Sequence, residues 1–76
     1  MKIRLPEGNT LAGRPETIVR LMRDDHWTVG ERPIRDYMDA VSADVKRLAG
    51  AELRTGSPED FLRSLSTHKL ITILED

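Results

Sequence analysis

Cysteine is absent from the 76-residue chain. The protein therefore has no disulfide bonds, no thiol nucleophile and no thiolate metal site. Aromatic residues are scarce, at one Trp, one Tyr and one Phe, so the chain lacks the repeated aromatic platforms on which single-stranded nucleic acids stack. No apolar run approaches the roughly 18 residues that cross a membrane, and the first residues lack the pattern of an export signal. We expect a cytoplasmic protein without membrane contact.

An excess of one charge sign is also absent. Twelve basic and 13 acidic residues give a net charge of −1, without the basic excess that non-specific nucleic-acid binding requires. Apolar residues make up 38% of the chain and charged residues of mixed sign make up 33%, which is typical of a folded protein. The length corresponds to a single domain, residues 1–76.

The N-terminal third has the pattern of a hairpin followed by a helix. Apolar and basic residues alternate over Met1–Leu5, turn residues occupy Pro6–Asn9, and Thr10–Ala12 resumes an extended pattern. These features predict two antiparallel strands. Pro15 suits the first position of a helix, which is predicted to end near residues 24–25, where two carboxylates oppose the helix dipole.

A second helix has the clearest periodicity in the chain. It is predicted to begin at Arg32-Pro33 and to end at Gly50, a residue suited to a left-handed C-terminal cap. Its apolar residues recur at spacings of four and three and form one line: Ile34, Met38, Val41, Val45 and Leu48. We expect this line to be buried with Val41 and Leu48 near its centre, where Leu48→Ala costs about 2–5 kcal/mol.

The C-terminal third predicts a strand, a helix and a final strand. Ala51–Thr55 alternates in polarity, Ser57 and Pro58 form a helix start, and Lys69–Leu74 is rich in β-branched residues. Strand–helix–strand segments favour a parallel pair. The predicted fold is therefore α+β: a mixed four-stranded sheet packed against three helices in two layers, in the order β-β-α-α-β-α-β.

Few residues carry catalytic chemistry. Asp24-Asp25-His26 is a run of metal-ligand types, but adjacent side chains diverge and no second ligand pair supports it. His68 is of the residue type that most often acts as a general base, yet no partner is identifiable, and it stands where a helix dipole favours a histidine. We expect no catalytic residue, no metal and no cofactor.

Basic residues concentrate at the N-terminal end, since residues 1–23 carry a net charge of +3 and residues 24–76 one of −4. The candidate patch consists of Lys2, Arg4, Arg14, Arg20, Arg23 and Arg54, the last on the expectation that its strand shares the sheet surface. Arginine favours bidentate contacts with carboxylates and phosphates. The patch thus suits an acidic protein surface or a nucleic-acid backbone.

The final strand is apolar on both faces. We expect Ile71 and Ile73 to face the core, because β-branched pairs fit a packed pleat. The other face is then either covered by a helix or an exposed patch for a partner or a second copy. Trp27 serves either as a core anchor or as an exposed binding residue. The candidate interface consists of Leu70, Thr72, Leu74 and Trp27.

These patterns lead to one functional hypothesis and one alternative. The hypothesis is a non-enzymatic interaction or regulatory module, an accessory protein of bacterial or phage type, that binds another protein or itself through a sheet face and the apolar C-terminal strand. The alternative is a nucleic-acid-binding regulator that uses the N-terminal basic patch.

Overall fold

The computed structural model describes residues 1–26 and 33–76, without the side chains of Asp25 and His26. Its strands are β1 (Lys2–Arg4), β2 (Thr10–Ala12) and β3 (Thr72–Glu75), and its helices are α1 (Pro15–His26), α2 (Ile34–Ala49) and α3 (Pro58–Thr67). The predicted α+β class is confirmed, and the three predicted helices are present.

The ends of the helices follow the local sequence signals. The Ser57 side chain accepts a hydrogen bond from the Asp60 backbone N–H at 3.1 Å, and Pro58 occupies the first turn of α3. Gly50 adopts the left-handed conformation after α2, with φ 68°, and its N–H donates to the Lys46 carbonyl. In both places the predicted capping chemistry is confirmed.

The sheet differs from the prediction. Among the described residues it has three strands in the order β2-β1-β3, and both pairings are antiparallel. The expected four-stranded mixed sheet with a parallel C-terminal pair is therefore wrong. Ile3 pairs with Ile73 while Lys2 pairs with Glu75, so Leu74 is an extra residue in the register of β3.

The segment Ala51–Thr55 is extended but is not a strand. Its alternation was predicted correctly, because Leu53 is buried while Glu52 and Arg54 are exposed. The Arg54 N–H, however, donates to the Ser64 hydroxyl of α3 at 3.0 Å instead of to a neighbouring strand. Both sides of β1 are already paired with β2 and β3, so this segment has no central strand to join.

The final strand begins at Thr72, three residues later than predicted, because α3 ends in a two-bond capping motif. Lys69 has a positive φ of 60°. Its N–H donates to the Ser66 carbonyl and the Leu70 N–H donates to the Leu65 carbonyl. This is the Schellman arrangement, here with lysine where glycine is usual. The motif also directs Leu70 toward Leu65, so Leu70 packs against the core.

The core lies between one face of the sheet and the helices. Five side chains are fully buried: Phe61, Ile3, Ile18, Leu62 and Val19. The rings of Tyr37 and Phe61 meet edge to face with centroids 6.4 Å apart, which joins α2 to α3. Ile71 is buried and Ile73 packs against the core, as the alternation of the final strand predicted.

The apolar line of α2 is buried only at its beginning. Tyr37 and Met38 are 3% exposed, Val41 and Val45 are half-buried, and Leu48 is 76% exposed. The expectation that Leu48 lies near the centre of the buried line is therefore wrong. Helical periodicity identifies the face of a helix, but the length of that face that is covered depends on the elements packed against it.

Candidate interaction surfaces

One face of the sheet is open. Ile3 on the central strand is fully buried among the helices, whereas its neighbours Lys2 and Arg4 are exposed. Because successive side chains of a strand point to opposite faces, the two cations project from the face opposite the core. We call the exposed residues of this face, Lys2, Arg4, Thr10, Ala12, Thr72 and Glu75, the open sheet face.

The register arranges the open sheet face in two rows. Arg4 lies directly between Thr10 on β2 and Thr72 on β3, and Lys2 lies between Ala12 and Glu75. Directly opposed residues of an antiparallel pair share a face, with Cβ atoms about 4.5–5.5 Å apart. The sequence indicated the two cations by their alternation with Ile3, but only the pairing shows which side chains flank them.

The next feature is the pairing state of the two cations on the open sheet face. Within the part of the chain that the structure describes, neither Lys2 nor Arg4 forms an ion pair. The hydroxyls of Thr10 and Thr72 likewise make no hydrogen bond to described residues. These donors are therefore available to a ligand.

The six residues of the predicted basic patch differ in their surroundings. Arg14 is exposed two residues after the end of β2 and has no ion pair with a described residue. Arg20 is paired with Glu16 at 3.1 Å, and Arg23 with Asp24 at 3.0 Å. Arg54 lies beside α3, outside the sheet on which it was expected.

Three of the four residues of the predicted interface are among the described residues. Thr72 belongs to the open sheet face, and Leu74 is 37% exposed at the register shift of β3. Leu70 instead lines an apolar groove of about 260 Å³ together with Val41 and Val45 of α2. Trp27 lies outside the described residues.

A polar depression of about 340 Å³ lies between residues 52–54 and α3. Its Ser64 hydroxyl accepts from the Arg54 N–H and donates to the Asp60 carbonyl at 2.8 Å, so both of its functions are engaged. Arg63 is held by Glu59 at 3.1 Å and Asp76 at 2.8 Å. The hydrogen bond that Arg63 donates to Glu59, followed by the charge of Asp76, raises the pKa of Arg63 above its ordinary value.

These contacts give the depression a structural role. Ser64 attaches the extended segment to α3, and Arg63 attaches α3 to the residue that follows β3. His68, considered above as a general base, is exposed in this depression and is the C-terminal cap of α3. Sequence reasoning missed Ser64, because nothing in the local pattern distinguishes an anchoring hydroxyl on a helix.

Metal-ligand types are not clustered in the described part of the chain, where no three His, Asp or Glu residues approach one another closely enough to share an ion. The side chains of Asp25 and His26 lie outside that part. None of the described helices has the length and apolar content needed to cross a membrane. No protein-family model matches the chain, and neither do any curated protein sequences or solved structures.

Proposed function

We propose that the protein binds an acidic segment of another protein through the open sheet face. The observation that carries this proposal is the position of Lys2 and Arg4. Both project from the central strand onto the face that no described helix covers, and neither has an ion partner among the described residues. Cations arranged in this way complement a carboxylate-rich surface.

A protein partner fits this surface better than a nucleic acid does. The described residues of the open sheet face include no aromatic side chain on which a base can stack. Arg20 and Arg23 are each paired with a carboxylate, and Arg54 lies elsewhere. Phosphate-backbone binding depends on the number of cations that contact phosphates. Of the six cations predicted for the patch, only Lys2, Arg4 and Arg14 lie in or next to the hairpin without an ion pair to a described residue.

The proposal is tested with a fluorescently labelled poly-glutamate peptide and a single-stranded DNA of matched length, using fluorescence anisotropy at low salt. The double variant Lys2→Gln with Arg4→Gln should weaken peptide binding. Since an exposed ion pair contributes roughly 0.2–1 kcal/mol, losing two of them should raise the Kd roughly two- to thirtyfold. Circular dichroism checks that the variant is folded.

The matched control removes the same two charge types from α2. Arg35 and Lys46 are exposed on that helix, and the variant Arg35→Gln with Lys46→Gln should bind the peptide as the native protein does. Equal weakening by both double variants would mean that only net charge matters, which contradicts a specific site. Tighter binding of the DNA than of the peptide, lost in the Lys2/Arg4 variant, would establish the nucleic-acid alternative instead.

A further inference from the structure

The open sheet face is electrostatically asymmetric about its central strand. On the β3 side Lys2 faces the Glu75 carboxylate, whereas on the β2 side it faces the methyl group of Ala12. Arg14 adds a further cation just beyond Ala12. The β2 side of this face therefore presents no negative charge from its paired residues, whereas the β3 side carries the Glu75 carboxylate.

We infer that Lys2, Arg4 and Thr10, grouped around the small side chain of Ala12, form a binding site for a single oxyanion. This inference rests on the proposed function and specifies where an acidic group of the partner is held. Neighbouring strands lie about 4.8 Å apart and residues two apart along a strand about 6.6 Å apart. At these spacings the long side chains of Lys2 and Arg4 can reach one group of the size of a carboxylate or a phosphate beside Thr10.

The donors of this site match oxyanion chemistry. The Arg4 guanidinium presents parallel N–H groups to two oxygen atoms, the Lys2 ammonium adds a compact charge, and the Thr10 hydroxyl donates from the opposite strand. Ala12 leaves the fourth corner open. Glu75 opposes Lys2 only from the β3 side. Of the carboxylates nearer to β2, Glu7 lines the apolar groove of the core side and Glu16 is paired with Arg20.

The ligand's oxyanion has two protein sources, a glutamate or aspartate side chain and a phosphorylated serine. Both groups carry negatively charged oxygen atoms, and Lys2 and Arg4 can bind either group. The asymmetry of the open sheet face predicts a difference between Thr10 and Thr72 that does not depend on which group supplies the oxyanion. Thr10 and Thr72 flank Arg4 symmetrically in the register, but only Thr10 lies on the side without a carboxylate.

The test compares Thr10→Val with Thr72→Val. Valine removes the hydroxyl at nearly constant volume and favours strands, so each variant should keep the sheet. Thr10→Val should raise the Kd for the labelled poly-glutamate peptide roughly two- to twelvefold, the net effect of losing one typical hydrogen bond. Thr72→Val should change it less than about twofold, within the neutral range of surface substitutions.

Titration with inorganic phosphate and with acetate, followed by amide NMR, examines the site without a peptide. Shifts that are largest at Thr10 and Ala12 support the site, and equal shifts at Thr72 and Glu75 overturn it. Equal effects of the two valine variants, or none, with the peptide still bound, would remove this inference and leave the proposed function standing. Failure of the native protein to bind the peptide would remove the proposed function, and the phosphate titration would then decide the site alone.

A second peptide distinguishes the sources. It has the same length, with phosphoserine in place of one glutamate. Tighter binding of this peptide, abolished by Arg4→Gln, assigns the site to a phosphorylated partner, whereas equal binding of the two peptides assigns it to carboxylates. Equal binding supports the oxyanion site if Arg4→Gln weakens both peptides, and equal binding that Arg4→Gln leaves unchanged overturns it.

Discussion

The apolar residues of α3 and α2 recur at helical spacing in both helices, yet only α3 buries all of them. Phe61, Leu62 and Leu65 of α3 are at most 3% exposed, whereas exposure along α2 increases from Met38 to Leu48. At about 1.5 Å per residue, the 16-residue α2 is about 24 Å long, close to the 28 × 26 × 24 Å extents of the described molecule. The described element that packs most extensively against it is α1, whose 12 residues span about 18 Å, so α1 covers only part of α2. The comparison shows that periodicity predicts orientation and that the length of the opposing element decides burial.

The largest expected effect lies in α3. Phe61 is fully buried and contacts Tyr37, so Phe61→Ala leaves a cavity at the junction of α2, α3 and the sheet. Such truncations cost about 3–5 kcal/mol, which is comparable to the whole stability of so small a domain. The variant should be largely unfolded at 25 °C in circular dichroism and thermal melts. A cooperative melt with an unchanged midpoint would show that the centre of the core lies elsewhere.

Local chemistry made the helices predictable. Ser57, Pro58 and Gly50 act through contacts within four residues of themselves, and such contacts are visible in the sequence. The sheet depends instead on which strand occupies the centre. That position belongs to β1, which is paired on both sides, and no local signal in Ala51–Thr55 reveals that both edges of β1 are taken.

In the candidate site, too, local features were predictable from the sequence and features set by strand pairing were not. The alternation of Lys2 and Arg4 with Ile3 was sufficient to predict an exposed cationic face. Its flanking residues Thr10 and Ala12 depend on the hairpin register, which the length and conformation of the turn determine. The sequence analysis placed Leu70 on the outer face of the final strand. A glycine at position 69 would have indicated the helix-ending motif there, but the chain has a lysine at that position.

The two helix ends offer a finer comparison. After α2 the left-handed position is Gly50, with no Cβ to clash, whereas after α3 it is Lys69, with φ 60°. The left-handed conformation costs a non-glycine residue about 1–2 kcal/mol, partly offset by the greater freedom of glycine in the unfolded chain. Lys69→Gly should therefore stabilise the protein by roughly 0.5–1 kcal/mol. Urea denaturation measures this gain, and a loss of stability would show that the Lys69 side chain contributes more than its backbone costs.

The smallest effect is expected at the exposed end of α2. Leu48 is 76% exposed, so Leu48→Ala removes little apolar surface from the core, and alanine is the better helix former. The free energy of unfolding should change by no more than about 0.5 kcal/mol, the usual range for surface positions. Urea denaturation at two protein concentrations, with equal m-values, measures this change.

A loss of about 2 kcal/mol or more would mean that Leu48 is buried in solution. If the native midpoint also increased with protein concentration, a second copy of the chain would be the group that covers Leu48, because association stabilises the folded state by mass action. A concentration-independent loss would instead place Leu48 in the protein's own core and remove the contrast between α2 and α3.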